Sequence, residues 1–395
     1  MKSIKIRLEL NNKQKSYAMQ HCGVARHAFN WGLSICKDSL ENKVKVPSAI
    51  DLHKLLVKDV KSVNNWYYDV SKSSPQQALR ELSTAFDRLF KKKSKFPKFK
   101  KKGKKDSFYL EGSIQTKGNK IKVPKFGWLK CSEILPQCEI KNAVISRTAN
   151  EWFIAFKVPF IPSVSQKQFG TVGVDLGIKT LATLSTGVIF ENKRPYKKAK
   201  RKLKLAQRQM SKKFVKGAKK QSNNYKKAAA KVAKIHQKVA NVRKDSIHKL
   251  TTYLAKNHSE IVIEDLNVNG MSKNHKLASA ILDGGFFEFR RQLEYKSNWY
   301  CSKLTVADRW FPSSKTCSSC NEVKKTLKLS ERIFKCNVCG FSAHRDANAA
   351  ENLNKKAVSY TVSACGESNK QRILDSADSV KQEVNSKVQL CVSFA

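Results

Sequence analysis

The chain has 395 residues, 41% of them hydrophobic, enough for two or three domains with cores of their own. Lysine and arginine number 78 against 31 aspartates and glutamates, a formal net charge of +47 that repels itself unless it meets a polyanion. No apolar run reaches the roughly 18 residues of a membrane span, and the opening MKSIKIRLEL alternates where a signal peptide would be continuous, so a membrane partner is excluded and nucleic acid is expected.

That alternation, Ile4, Ile6, Leu8 and Leu10 on one side, predicts a strand from the first residues. Helical spacing follows over 13–36, with Tyr17, Val24, Ala28, Trp31 and Ile35 on one face. A second amphipathic helix is expected from Pro75 to Lys92, with Leu79, Leu82, Phe86 and Phe90 as its apolar stripe. It runs into KKKSKFPKFKKKGKK, residues 91–105, too basic to pack. Phe96 and Phe99 lie between its lysines, Lys98 and Lys100 among them, a pattern suited to backbone contact and base stacking. Residues 107–162 change to short β patterns (FYLEG, KIKVPKFGWLKC, AVISRT, EWFIAFKV) separated by glycine and proline, which predicts a small β-barrel interrupted by the helical insertion.

From Gly170 strands alternate with helices, the signature of an α/β layer fold. TVGVDLG and TLATLST read as strands. Residues 195–258 read as helical and very basic, with Arg201, Lys202 and Arg208 as candidate phosphate contacts. The strand EIVIEDL, a helix near Phe286–Trp299 and the strand KLTVADRWF follow. Beyond about Lys356 the chain is Ser-rich and mixed in charge, and residues 358–395 are expected to be disordered.

Eleven cysteines, an odd number without a secretory signal, point to a reducing cytoplasm, with nucleoid association when DNA is bound. Four of them form Cys317-x₂-Cys320 and, after fifteen residues, Cys336-x₂-Cys339. Two such knuckles supply a closed tetrahedral set of thiolates for one structural Zn²⁺ and leave no position for a reactive water. The seven scattered cysteines read as small buried residues or idle exposed ones.

Asp175 sits inside an otherwise apolar strand, where an unpaired carboxylate costs several kcal/mol, on the order of an ion's desolvation penalty. A metal or a cationic partner is therefore expected beside it. A second apolar strand ends in Glu264 and Asp265; period two puts these on opposite faces, so one of the two can join Asp175. Asp346 heads a helical segment in which Ala349, Ala350 and Leu353 share its face, and the alanines permit close approach to a sheet. Three acids from three distant segments can converge on two Mg²⁺ ions for phosphodiester hydrolysis.

The stretches SSPQQALRELSTAFDRLFKKK, FPKFKKKGKKDSF, VGVDLGIKTLATLS, IVIEDLNVNGM, WFPSSKTCSSC and CGFSAHRDANAAENL, in this order, resemble the TnpB family. These are transposon-encoded OrfB-type RNA-guided nucleases related to type V CRISPR effectors, and the resemblance runs to about residue 355. It implies a multidomain α+β chain. Residues 1–10 and 106–165 would form a β-barrel wedge domain, with 11–105 inserted as a helical recognition domain. Residues 166–311 and 343–357 would form a RuvC-like nuclease domain of the RNase H-like α/β fold. An inserted zinc ribbon at 312–342 would contact target nucleic acid. The resemblance also chooses Glu264 over Asp265, making Asp175, Glu264 and Asp346 the catalytic, Mg²⁺-binding acids. The implied partners are a guide RNA from the transposon end and double- and single-stranded target DNA, read by base pairing next to a short adjacent motif. Gln76 and Gln77 can bind adenine edges or phosphates, or simply face solvent. Asn321 stands where the family often has glycine, which questions the turn after Cys320.

Two other readings compete with an RNA-guided Mg²⁺-dependent endonuclease. A DNA transposase of the same fold usually orders its acids Asp, Asp, Glu, whereas this chain runs Asp, Glu, Asp. A catalytically silent nucleic-acid-binding regulator of transposition would be expected to lack an acid, and all three are present.

Overall fold

The structure is a computed structural model that describes residues 1–161, 166–218, 220–328 and 330–365. Two units divide it: Met1–Ile161 with Lys202–Lys238, and the described part of Pro162–Arg201 with Val239–Ala395.

In the first unit β1 (Lys2–Leu8) alternates as its sequence dictates and buries Ile6 and Leu8. Asn11 then starts α1 (Asn12–Glu41): its side chain accepts the Gln14 N–H at 2.8 Å, and the Gln14 side chain accepts the Asn11 N–H at 3.1 Å. This reciprocal cap satisfies two N–H groups that the helix itself cannot. The buried face of α1 runs Ala18, Cys22, Ala25, Phe29, Leu33 and Cys36, rotated from the expected stripe; Val24 and Ala28 are buried, while Tyr17, Trp31 and Ile35 are only half-buried. Gly32 explains the rotation. A Cβ there would meet Leu79 Cδ2 at 2.8 Å, so α1 takes the leucines of the next long helix directly against its backbone.

Among the elements not anticipated are α2 (Ala49–Leu55) and the π-helical turn Leu56–Lys61 that prolongs it, burying Leu52, Leu56 and Val60. The helix α3 (Ser73–Phe90) carries Pro75 in its first turn and buries Leu79, Leu82 and Phe86, but Phe90 is exposed. The basic segment after it is docked at two points, contrary to expectation. Asn30 hydrogen-bonds both the N–H and the C=O of Lys100, and Phe96 meets Phe86 edge-on at 5.7 Å.

Five further strands follow in this unit: β2 (Ser107–Lys117), β3 (Lys120–Val123), β4 (Gly127–Lys130), β5 (Ile140–Thr148) and β6 (Glu151–Val158). Their antiparallel order is β1-β6-β5-β2-β3-β4. Leu8 bridges Cys131, and the Glu9 N–H reaches Lys130 O at 2.8 Å, which joins the last strand to the first as a barrel requires. Barrel and helices share one hydrophobic core. Cys22, Cys36 and Cys131 belong to it, as small apolar residues do, and burial raises the Cys22 thiol to about 12.

The sheet of the second unit contains β7 (Phe169–Leu176), β8 (Thr180–Leu184) and β9 (Ile189–Glu191). The basic stretch that follows is two helices, α4 (Pro195–Ser211) and α5 (Asn223–Asn257), interrupted near Gly217 at φ +80°. Then come β10 (His258–Glu264), α6 (Val268–Met271), α7 (Ala278–Gly284), α8 (Phe286–Tyr300) and β11 (Lys303–Ala307). The hairpin β12 (Ile333–Lys335) and β13 (Ser342–His344) leads into α9 (Arg345–Cys365). This helix passes the expected boundary at 357 because no glycine or proline interrupts the chain before Gly366; the rest of the tail lies outside the described residues.

Sheet order is β9-β8-β7-β10-β11, with β8 antiparallel to both neighbours and β7, β10 and β11 parallel. Its two faces bury different partners. Val172, Val174, Ile261 and Ile263 pack with Leu250 and Leu254 of α5 and Phe289 and Leu293 of α8. Val262 and Ala307 lie on the other side with Leu353 of α9. There α9 runs directly onto β7: a Cβ on Gly173 would sit 1.9 Å from the carbonyl oxygen of Ala350.

Candidate active site and metal centre

The two faces decide what the sequence left open. Residues alternate in β7, so Asp175 shares the face of Gly173, toward α9. In β10, Glu264 shares the face of Val262, also toward α9, whereas Asp265 turns to the α8 side. The register pairs Ile263 with Val174, so the next residue on each strand sets Glu264 beside Asp175. Asp346 comes from above. It precedes Ala350 by one helical turn, about 6 Å, and Asp175 follows Gly173 by two strand residues, about 6.6 Å. The contact of Ala350 with Gly173 therefore brings the two carboxylates level.

Electrostatics agree with this convergence. Burial first, then the charges of Glu264 and Asp346, push Asp175 from its ordinary 3.8 up to about 8, while Arg345 pulls it down. Asp265 behaves oppositely: hydrogen bonds from Arg309 and Arg290, each at 2.5 Å, hold it below the usual carboxylate range. It is a paired charge on the other face. The hydroxyl of Ser313 donates to Glu264 Oε1. Beside Glu264 lies a cavity of about 360 Å³, lined in part by Phe287, Arg290 and Arg309. A larger cavity, about 660 Å³, opens on α1 among Arg26, His27, Trp31 and Trp66, and holds none of these three acids.

Oxygen donors crowded until one is driven toward its neutral form suit hard divalent cations such as Mg²⁺. The four cysteines are gathered more tightly. Among the described residues they are the one set of three or more His, Cys, Asp or Glu groups whose ligand atoms all lie within 4.8 Å of one another. Cys317 and Cys339 sulfurs are 3.7 Å apart and those of Cys320 and Cys336 3.5 Å. A tetrahedron with Zn–S of about 2.3 Å has edges of about 3.8 Å, so the set fits zinc. N–H groups of Cys339 and Val338 lower Cys336 to about 6, favouring the thiolate that a metal needs. Asn321 and Gly340 occupy equivalent places just after each knuckle, at φ +63° and +72°. Asparagine tolerates the left-handed region, so the turn forms without glycine.

The predicted nucleic-acid contacts are dispersed. Lys98, Arg201, Lys202 and Arg208 are exposed. Lys100 is engaged, 3.1 Å from Glu81 and 4.0 Å above the Phe29 ring. Gln76 and Gln77 are half-buried on α3 instead of facing freely into solvent. Sequence reasoning missed Ser313, Asn348 and Asn352, which pack around the acids' supports. The signal was two asparagines one turn apart in an alanine-rich helix, a spacing that places both amides on one buried stripe.

Comparison with known proteins follows this architecture. Family models match residues 1–45 ("Helix-turn-helix domain"), 155–275 ("Probable transposase", OrfB_IS605) and 286–353 ("Cas12f1-like, TNB domain"). Residues 1–45 here hold one strand and one long helix. The "Putative RNA-guided DNA endonuclease InsQ" of Escherichia coli is 32% identical, over 98% of this chain and 98% of its own. A "Putative RNA-guided DNA endonuclease" of Streptomyces pristinaespiralis is 38% identical, over 80% and 79%. The fold resembles that of the Cas12f1 chain in its complex with sgRNA and target DNA, with a TM-score of 0.52 and 13% identity, covering 89% of this chain and 98% of that one. Among the described residues no helix is long and apolar enough to cross a membrane. The chain belongs to the OrfB (TnpB) family.

Proposed function

We propose that the protein is an RNA-guided DNA endonuclease whose RuvC-like domain hydrolyses phosphodiesters with Asp175, Glu264 and Asp346. The carrying observation is that β7, β10 and α9 bring these three acids to one face of the sheet while Asp265 is paired on the other. The strand order β9-β8-β7-β10-β11 fits an RNase H-like sheet. Two Mg²⁺ ions, when bound, activate water and stabilise the leaving oxygen. Asp175, Glu264 and Asp346 would together hold the ions through their carboxylate oxygens. The four cysteines would hold one structural zinc. Residues 1–10 and 106–165 would act as the wedge, 11–105 as the recognition domain and 312–342 as a target-binding ribbon. The exposed lysines and arginines of α4, with Lys98, would grip guide RNA and target DNA by phosphate contacts, and base pairing would select the site.

One substitution separates catalysis from binding. Asp346→Asn keeps volume and remains a competent first-turn residue, but removes the charge that holds a cation. Purified with its RNA and offered matched target DNA with Mg²⁺, the variant should bind as tightly as wild type and fail to cleave, as should Asp175→Asn and Glu264→Gln. Cleavage at near wild-type rate by the Asp346 variant would remove it from the active site. Joined instead of cut products from the wild-type protein would indicate a transposase.

A further inference from the structure

Residues 312–318 lead into the first cysteine knuckle, and two amides of α9 hold them. Asn352 Nδ2 donates to the carbonyl oxygens of Ser313 at 2.7 Å and Thr316 at 2.6 Å. Asn348 Nδ2 donates to Thr316 O at 2.7 Å, and its Oδ1 accepts the Ser318 N–H at 2.9 Å. Lys355 Nζ donates to Ser318 O. Both amides are buried, 1% and 3% exposed, so removing Asn352 would leave the buried Ser313 carbonyl without this partner, and removing Asn348 would do the same to the Ser318 N–H. The segment is therefore fixed to the same helix that carries Asp346.

Ser313 sits in this clamped segment, 4% exposed, with its hydroxyl committed to Glu264 Oε1. A hydroxyl donating to a carboxylate forms a charge-assisted bond, stronger than one between neutral partners. With Oε1 engaged, the carboxylate cannot rotate freely about its last torsion, and Oε2 is left as the unencumbered oxygen. Outer partners of this kind set the orientation of a metal-ligating carboxylate.

We propose that Ser313 is a positioning residue: it orients Glu264 to take a divalent cation, and the zinc ribbon serves the acid site by holding Ser313 against α9. The inference rests on the metal-site reading of Asp175, Glu264 and Asp346 above. In this account the ribbon acts on cleavage through a hydrogen bond, apart from any contact it makes with nucleic acid.

The test uses full-length, zinc-loaded protein without RNA, so that phosphates do not compete for the ion. Free Mn²⁺ is measured by electron paramagnetic resonance during titration. Ser313→Ala should weaken Mn²⁺ binding by roughly tenfold or more, the usual loss for an outer-shell partner. Zinc content should be unchanged. With RNA and target added, half-maximal Mg²⁺ for cleavage should rise by a similar factor, while the rate at saturating Mg²⁺ falls less. Ser313→Thr, which keeps the hydroxyl, should recover most of the affinity. Cys336→Ser should weaken Mn²⁺ binding in the wild-type background and add little to Ser313→Ala. Wild-type Mn²⁺ affinity in Ser313→Ala, with affinity lost in Glu264→Gln, would overturn the proposal and leave the acids' role intact. Equal losses in the alanine and threonine variants would overturn it too, since the hydroxyl would then be irrelevant. Unchanged affinity in Glu264→Gln would overturn both readings.

Discussion

Gly173→Ala perturbs the site without touching an acid. The added methyl would lie 1.9 Å from Ala350 O and 2.6 Å from Asn354 N, both backbone atoms that no rotamer change can move. To restore an ordinary contact of about 3.4 Å, α9 must retreat from β7 by roughly 1.5 Å, because close-packed interiors transmit such strain. Asp346 travels with the helix, away from Asp175 and Glu264. Overpacking of this kind costs about 1–3 kcal/mol, and a displacement of about 1 Å at a reacting centre costs roughly a hundredfold in rate. The expected variant therefore unfolds at lower urea, still carries zinc and binds RNA, and cleaves matched DNA at least about a hundredfold more slowly. Single-turnover cleavage, elemental analysis and urea titration measure these three quantities. Cleavage within a factor of about three of wild type would show that the close contact of α9 with β7 does not set the position of Asp346, and the geometric argument would fail.

Elemental analysis should find one zinc per chain, and Cys336→Ser should lower it while destabilising the ribbon; native protein without zinc would end that claim. RNA affinity should fall by roughly three to five decades between 50 and 200 mM salt if 6–10 phosphates are neutralised, whereas a nearly flat dependence would show that the basic helices are not the binding surface. Asp175, raised to about 8, gives a pH test. A carboxyl whose folded pKa lies above its unfolded value adds stability at low pH and loses it as pH climbs from about 4 through about 8. In magnesium-free buffer the thermal midpoint should thus decline over that window more than in Asp175→Asn, and Mg²⁺ should protect most at the upper end; identical profiles for the two proteins would contradict the crowding of the acids.

Local patterns were readable from the chain wherever a residue's role depends on near neighbours. The β1 alternation, the first-turn Pro75, the cysteine knuckles and the apolar context of Asp175 are of this kind. The choice between Glu264 and Asp265 was not, because period two says only that they diverge; which face meets α9 is set by packing of Val262 against Leu353 and of Gly173 against Ala350. Lys100 looked like a free cation because Asn30, Phe29 and Glu81, which hold it, lie far away in sequence. Ser313 was hidden for the same reason: its partner Glu264 is 49 residues earlier. The short α2 and its π-helical extension carry three buried residues at spacing four, Leu52, Leu56 and Val60, too brief a stripe to stand out in a polar stretch.

On the function proposed above, Asp175, Glu264 and Asp346 form one divalent-cation site on the α9 face of the sheet. Anomalous scattering from crystals soaked in Mn²⁺ tests it most directly. Manganese peaks are expected beside Asp175, two of them about 3.5–4 Å apart if both ions load, with Glu264 and Asp346 as ligands and Asp265 still paired to Arg290 and Arg309. Manganese bound by Asp265, or no peak within reach of Asp175 at saturating Mn²⁺, would contradict it.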